Sequence, residues 1–442
     1  MNNIKLKERL IPEGWILKKI SEVASTGSGG TPLSTKIEYY KDGIIPWINS
    51  GEVGQHSIKA TKNFITKLGM ENSSAKLFPK GSVLLAMYGA TAGRASLLEF
   101  EASTNQAVCA IIPQKGYNAS FIKYYLDVLY YYLVGVSTGS ARDNLNQNGI
   151  LDIEIPFPDE ITQQKIASVL TALDSKIELN NRINAELEAM AKTLYDYWFV
   201  QFDFPDKNGK PYKTSGGKMG WNEELKREIP EGWEVDKINK KVIIGSGFPF
   251  NSDDYNKVGT YKVITIKNVQ DGFLDTSSVD YVSFLPNNIS EFCILKEGDI
   301  LMSLTGNVGR MCFVDQNNLL LNQRVGKLIG EKDFVVYSYF FFKRPENQQR
   351  LSKIANGSSQ ANLSPIEAVK DNFAIPPKKT MNQFSEIVNP MINQILSKNR
   401  ENQKLTELRN WLLPMLMNGQ VKVKEADERL SMATEPVVKY GK

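Results

Sequence analysis

The sequence predicts a mixed α/β (α+β) chain: two globular domains with curved sheets, joined by a pair of long helices, one unit written twice with approximate two-fold symmetry. Three observations predict it. First, the stretch Glu160 to Val200 contains neither Gly nor Pro. Its stripe runs Ile166, Leu170, Leu173, Ile177, Asn180, Asn184, Leu187, Ala191, Leu194 and Trp198, the four-and-three stepping of a coiled-coil helix. Second, the same spacing returns 218 residues later through Phe384, Val388, Met391, Ile395, Lys398, Asn402, Leu405, Arg409, Leu412 and Leu416, with the polar interruptions in register. Third, the segments between the helices repeat block by block.

The repeat opens with IPEGW at Ile11 and again at Ile229. GSGGTP (Gly27 to Pro32) answers GSGFP (Gly245 to Pro249), and FPKGSVLLAMYGATAGR (Phe78 to Arg94) answers LKEGDILMSLTGNVGR (Leu295 to Arg310). TNQAV at Thr104 matches LNQRV at Leu321, and TGSARDNLN at Thr138 matches NGSSQANLS at Asn356. Within each unit, IIPWI, SVLLAMY and AVCAIIP read as strands and SFIKYYLDVLYYYLVG as a helix; KVITIK, DILMSLT and FVVYSYFFFK take the corresponding places in the second unit. Many short strands with one or two helices indicate a mixed domain with a strongly curved or barrel-like sheet. The domain boundaries that follow are 1–159 for the first domain, 160–200 for the first long helix and 201–228 for a linker. The second domain is 229–380, the second helix 381–420, and the charged, aperiodic residues 421–442 form a mobile tail. The linker, rich in Gly, Lys and Pro, reads as an extended connection.

A helix of this length spans roughly 55 Å at ~1.5 Å per residue, more than a small domain requires. Its narrow stripe needs a partner, and the second copy is the match in length and phase. The predicted seam is Ile166, Leu170, Leu173, Ile177, Asn180, Asn184, Leu187 and Leu194 against Phe384, Val388, Met391, Ile395, Asn402, Leu405 and Leu412. An antiparallel pairing about the midpoints sets Asn180 against Asn402 and Asn184 against Lys398; a parallel one also matches polar with polar, so the stripe leaves orientation open. Pro390 and Pro414 lack counterparts in the first helix and predict a kink, or a helix that starts near Pro390.

Composition excludes several classes. With 53 basic and 49 acidic residues the net charge is +4, so binding to nucleic acid must use local patches or a partner's field. Hydrophobic residues make up 42%, ample for real cores. No apolar run reaches membrane-spanning length, and MNNIKLKERL lacks a signal-peptide core, so a cytoplasmic location is expected. Cys109, Cys293 and Cys312 lie in apolar segments without CxxC pairing, as buried free thiols do in a reducing compartment.

Catalytic signatures are missing. The single histidine, His56, reads as an incidental residue of a polar loop, and no His, Cys, Asp and Glu cluster has metal-ligand spacing. GATAGR lacks the lysine of a phosphate loop, and its glycines fit a tight turn instead. No cofactor is expected. Loops of both copies instead keep Ser, Thr, Asn, Gln and Arg beside Gly, side chains that reach base edges or phosphates. Candidates for DNA contact are Ser28, Thr31, Arg94, Arg142, Asn144 and Gln147 in the first unit, and Ser246, Arg310, Arg324, Ser358, Gln360 and Asn362 in the second. Asn105 and Gln106, matched by Asn322 and Gln323, serve equally well as turn caps. Arg142, Gln147, Arg324 and Gln360 have no identical counterpart and are the better candidates for base-specific contact.

With these motifs in order, the chain resembles the specificity subunits of type I restriction-modification enzymes over nearly its whole length. The resemblance rests on the paired IPEGW openings, the KGSVLLAMYGATAGR and EGDILMSLTGNVGR blocks with their following NQ, and QQKIASVLTALDSKIELNNRINAELEAMAKTLYDYWF. SGGKMGW and LRNWLLPMLMNGQV add to it. It implies two target-recognition domains, each reading one half of a bipartite site in double-stranded DNA, and an antiparallel helix pair that sets the spacer. As partners it implies two DNA adenine methyltransferase subunits docked on the helices, with two ATP-dependent restriction subunits able to join, and no membrane. Catalysis would then belong to those partners. A stand-alone DNA-modifying enzyme and a scaffold without DNA binding are the alternatives.

Overall fold

The computed structural model describes residues 11–138, 145–357, 361–421 and 423. It divides into two compact units: residues 1–177 with 404–442, and residues 178–403. Each contains one sheet domain, half of the first long helix and part of the second.

In the first unit the central strand Val108–Pro113 pairs antiparallel with Ala24–Ser28 and with Val83–Ala86, registered Cys109 on Ser28 and Cys109 on Leu85. Ala95–Leu98 and Ser57–Ile58 complete five strands. A second sheet of four strands contains a parallel pair, Trp47 beside Ser103 and Ile48 beside Thr104. The predicted strands read as unbroken apolar runs because the first sheet is covered on both faces. Val83, Leu85, Cys109 and Ile111 face helix Ala119–Val128 and the long helices, whereas Leu84, Ala86, Val108 and Ala110 face Ile48, Phe78 and Ala102 of the second sheet. The curvature expected from the sequence thus takes the form of two stacked sheets.

The second unit repeats this plan. Val325–Gly330 lies between Val242–Ser246 and Ile300–Ser303, with Ser246 opposite Gly326. The parallel pair recurs as Lys262 beside Leu319 and Ile264 beside Leu321. Ile300, Met302 and Leu328 face the helices, and Leu301, Leu319 and Val325 face the other way.

Residues 201–228, expected to be an extended connection, are folded. Phe202 and Phe204 are buried against Trp233, and Met219–Asn222 forms a hairpin with Arg227–Pro230. Asp203 ties the segment down by accepting from the Thr214 backbone N–H at 2.7 Å. The aromatic side chains, outnumbered by Gly and Lys, decide the outcome because burying each stabilises by about 1.5–3 kcal/mol.

The first long helix is Glu160–Tyr195, capped by Asp159 through the Thr162 N–H at 3.0 Å and followed by a π-turn at Asp196–Val200. The second, Lys378–Met417, is continuous through Pro390 and Pro414, which corrects the expectation of a start near Pro390. Both prolines are exposed, as are Glu386 and Asn410 one turn before them. The carbonyls freed by the missing N–H groups therefore face water, while Val388, Ile392 and Leu412 anchor the opposite side.

The helices run antiparallel within each unit. In the second, Asn180 Nδ2 donates to Asn402 Oδ1 at 2.9 Å and Asn184 Nδ2 to Asn399 Oδ1 at 2.7 Å. Asn184 thus meets Asn399, not Lys398, whose ammonium turns to Glu401 at 3.1 Å. In the first, Asp174 meets Arg409. The buried face is wider than a coiled-coil seam. Ile166, Leu170, Leu173, Leu405, Leu412 and Leu416 join the core of the first domain, and Ala191, Trp198, Phe384 and Val388 that of the second. Ala167, Val169, Ile392 and Leu396 beside the stripe are buried too.

Candidate nucleic-acid interface

The glycine-flanked loops have the same construction in both units. After Val83–Ala86 the chain turns through Gly89 and Gly93, at φ +91° and +77°, and Ala86 N–H donates to Arg94 O at 3.0 Å. After Ile300–Ser303 it turns through Gly306 and Gly309, at φ +74° and +83°, and Ser303 N–H donates to Arg310 O at 2.9 Å. Positive φ at these corners explains the retained glycines. Arg94 and Arg310 leave equivalent corners toward different neighbours. The Arg94 guanidinium is exposed and stacks 4.0 Å from the Tyr130 ring centre. Arg310 is half-buried and donates to Gln270 Oε1 at 2.9 Å.

The retained NQ pair closes a turn. Asn105 Oδ1 accepts from Ala107 N–H at 3.2 Å, and Asn322 Oδ1 from Arg324 N–H at 3.3 Å. These asparagines are capping residues, as the backbone-bonding alternative expects. Exposed Gln106 accepts from the Thr31 hydroxyl at 2.6 Å, and Gln147 Nε2 donates to the Thr26 hydroxyl at 2.9 Å. Ser28 ends its strand half-buried; Ser246, at the matching position, is exposed. Arg324 is exposed, and among the described residues no carboxylate pairs with it. Asn362 bridges through its backbone to Asn356 and accepts from the Thr305 hydroxyl at 3.4 Å. Arg142, Asn144, Ser358 and Gln360 lie outside the described residues.

Where the first domain meets its helices, sequence reading missed a buried polar cluster. Asp174 accepts from the Tyr124 hydroxyl at 2.8 Å and from Arg409 at 2.8 Å, and His56 Nδ1 lies 3.2 Å from it. His56 is therefore a half-buried structural residue rather than an incidental loop histidine. Burial pushes the Asp174 carboxyl upward, but the His56 hydrogen bond and the charges of Lys123 and Arg409 outweigh it and hold the group well below the usual carboxylate range. Burial, with Asp174 beside it, drives the Tyr124 phenol far up. A charged residue next to Leu173 on the stripe was the available signal. The second domain is held by a different cluster, in which Tyr339 and Lys343 donate to Glu188 at 2.5 and 2.6 Å.

Among the described residues no group of three His, Cys, Asp or Glu side chains could hold a metal, and no helix is long and apolar enough to cross a membrane. All three cysteines are buried and free, and burial pushes the Cys109 thiol up to about 12.

Two sheet domains of one plan, each presenting polar turns and packed on its own stretch of the long helices, make a duplicated protein. The model of the type I restriction modification DNA specificity domain matches residues 12–189 and again 230–407. The chain belongs to this family and is a specificity subunit of a type I restriction-modification system. It is 29% identical over 431 residues to the MjaIX specificity subunit of Methanocaldococcus jannaschii, covering 94% of this chain and 95% of the relative. It is 24% identical to the HindI specificity subunit of Haemophilus influenzae, over 66% and 74% of the two chains. The type I S subunit of M. genitalium shares the fold at a TM-score of 0.55 and 15% identity, over 93% of this chain and 98% of that one. Specificity subunits are non-catalytic, the methyltransferase and restriction activities residing in separate subunits. The chain acts in DNA recognition and assembles with the other subunits of its complex.

Proposed function

We propose that each sheet domain reads one half of an asymmetric bipartite DNA sequence, that the helix pair sets the unspecified spacer, and that two adenine methyltransferase subunits dock on the helices in the cytoplasm. Restriction subunits join through them. One observation carries this reading: the two units share strand register, turn glycines and capping asparagines, yet diverge in how their loops present side chains, Arg94 exposed against Tyr130 while Arg310 is half-buried and bound to Gln270. A retained scaffold with divergent loops is what two readers of unlike half-sites require. Arg324, exposed and without a carboxylate partner among the described residues, and Gln147 are the strongest described candidates for base contact. The methyltransferase supplies the chemistry, and this chain supplies the address.

The test is a genome-wide map of methylated adenine in cells expressing this chain with its methyltransferase subunit, beside cells expressing that subunit alone. A bipartite asymmetric motif seen only with both chains is expected. Methylation at one contiguous motif independent of this chain would overturn the reading.

A further inference from the structure

We propose that Tyr130 and Tyr131, with Arg94, form an aromatic clamp for a DNA phosphate that is present in the first domain and absent from the second. Helix Ala119–Val128 ends at Leu129, and the chain re-enters helix at Tyr130–Thr138. Three tyrosines begin the new segment. Tyr131 is 86% exposed and packs edge-on against Tyr130, ring centres 5.3 Å apart. Arg94 lies over the other ring, and among the described residues no carboxylate neutralises it. Tyr88, 47% exposed, stands on the same turn as Arg94.

A guanidinium held over a ring loses less further freedom on binding, and its N–H groups can make a bidentate contact to a phosphate. Exposed tyrosines beside it add phenol donors and apolar area that suit a sugar-phosphate backbone. The occupant is taken as DNA because Arg94 is exposed beside aromatic rings and, among the described residues, has no carboxylate partner, and DNA is the polyanion that a DNA-specificity subunit must engage.

The duplication provides an internal control. Gly93 packs on Leu133 and Val134, and Gly309 on Gln348 and Leu351, so in each unit the glycine turn meets the helix re-entry that follows the sheet. Counted from the start of each re-entering helix, the places of Tyr130, Tyr131 and Tyr132 are taken by Pro345, Glu346 and Asn347. Glu346 pairs with Arg344 at 3.5 Å, a carboxylate where a phosphate would be repelled. Arg310, meanwhile, is tied to Gln270. The clamp therefore anchors one half of the target only.

The test uses the complex of this chain with its methyltransferase subunits. With Tyr131→p-benzoylphenylalanine and sheared genomic DNA as probe, illumination is expected to give a protein–DNA adduct. An adduct to a methyltransferase subunit, or no adduct, would overturn the assignment. As a second readout, Arg94→Ala is expected to lower the slope of log affinity against log salt by about 1, the loss of one phosphate contact; an unchanged slope would also overturn it. Neither readout depends on the target being bipartite, so failure here is distinguishable from failure of the proposed function.

Discussion

Arg409 on the second long helix lies 2.8 Å from Asp174 on the first, and Asp174 also receives the Tyr124 hydroxyl of the sheet domain. One buried carboxylate thereby joins two helices and a domain. Arg409→Ala leaves that carboxylate under-compensated and is expected to cost about 2–4 kcal/mol in urea unfolding. Asp174→Leu combined with Arg409→Met should recover much of the loss, since an apolar pair of similar volume needs no desolvation of charge. An Arg409→Ala midpoint equal to wild type would count against the cluster as an anchor.

The same carboxylate gives stability a pH signature. Burial raises its pKa, but His56, Lys123 and Arg409 more than offset that, so the folded value lies below the ordinary Asp value of about 3.9. The stability it supplies is present above pH ~4 and lost as pH falls through the folded pKa. Neighbouring Asp127 is shifted upward by burial and works in the opposite sense. The difference between wild type and Asp174→Asn isolates the first effect: it should hold steady from pH 7 to 5 and shrink below about pH 4. A difference that grows with acid would refute the account.

Asn180 is fully buried in the helix seam, yet its Oδ1 has no partner among the described residues. Asn180→Ala removes the donor to Asn402 and is expected to cost about 1–2 kcal/mol. Replacing both Asn180 and Asn402 with Leu should be neutral or stabilising, because the polar layer serves pairing specificity at the expense of stability. Thermal unfolding of the single and double variants decides between these outcomes.

Pro390 sits in the middle of a continuous helix with its ring toward solvent. Pro390→Ala restores a backbone donor and relieves the clash with the preceding turn, and should raise stability by about 1–3 kcal/mol. No gain in unfolding midpoint would mean that the packed face had already absorbed the whole penalty.

Gly93 adopts φ +77°, and a Cβ there would come within 3.2 Å of Leu133 and Val134. Gly93→Ala therefore combines backbone strain with crowding and is expected to destabilise by more than 1 kcal/mol. Gly81→Ala is a useful comparison, since it shares a positive φ but has open space around the added methyl; the difference in melting temperature reports the crowding alone.

Much of the fold was legible because the duplication was. Offsets between IPEGW copies, turn glycines and stripe residues place every major element twice, and two independent readings of one pattern suppress local ambiguity. Strand order was not legible, since continuous apolar runs such as Val83–Ala86 do not reveal which neighbours cover which face. The linker misled because Gly and Lys dominate its composition, while two aromatic side chains, Phe202 and Phe204, buried against Trp233 of the second domain, dominate its energetics. Proline misled because its cost depends on where the freed carbonyl points, which no linear pattern shows. At the candidate site, Asn105 and Arg94 are equally plausible contacts by residue type; only the bond from Ala107 N–H to Asn105 separates a cap from a free reader.

The second unit is a single stretch of chain, residues 178–403, whereas the first is assembled from residues 1–177 and from 404 onward. Leu405, Leu412 and Leu416 fill the first domain's core, and Gly419 packs beside Pro12 and Trp15. During translation the domain begun first must therefore wait for residues 404–419, made after the whole of the second unit, while the one begun second can close as soon as its own stretch has emerged. A ribosome that stops near Gln403 leaves the earlier domain, not the later, without part of its core.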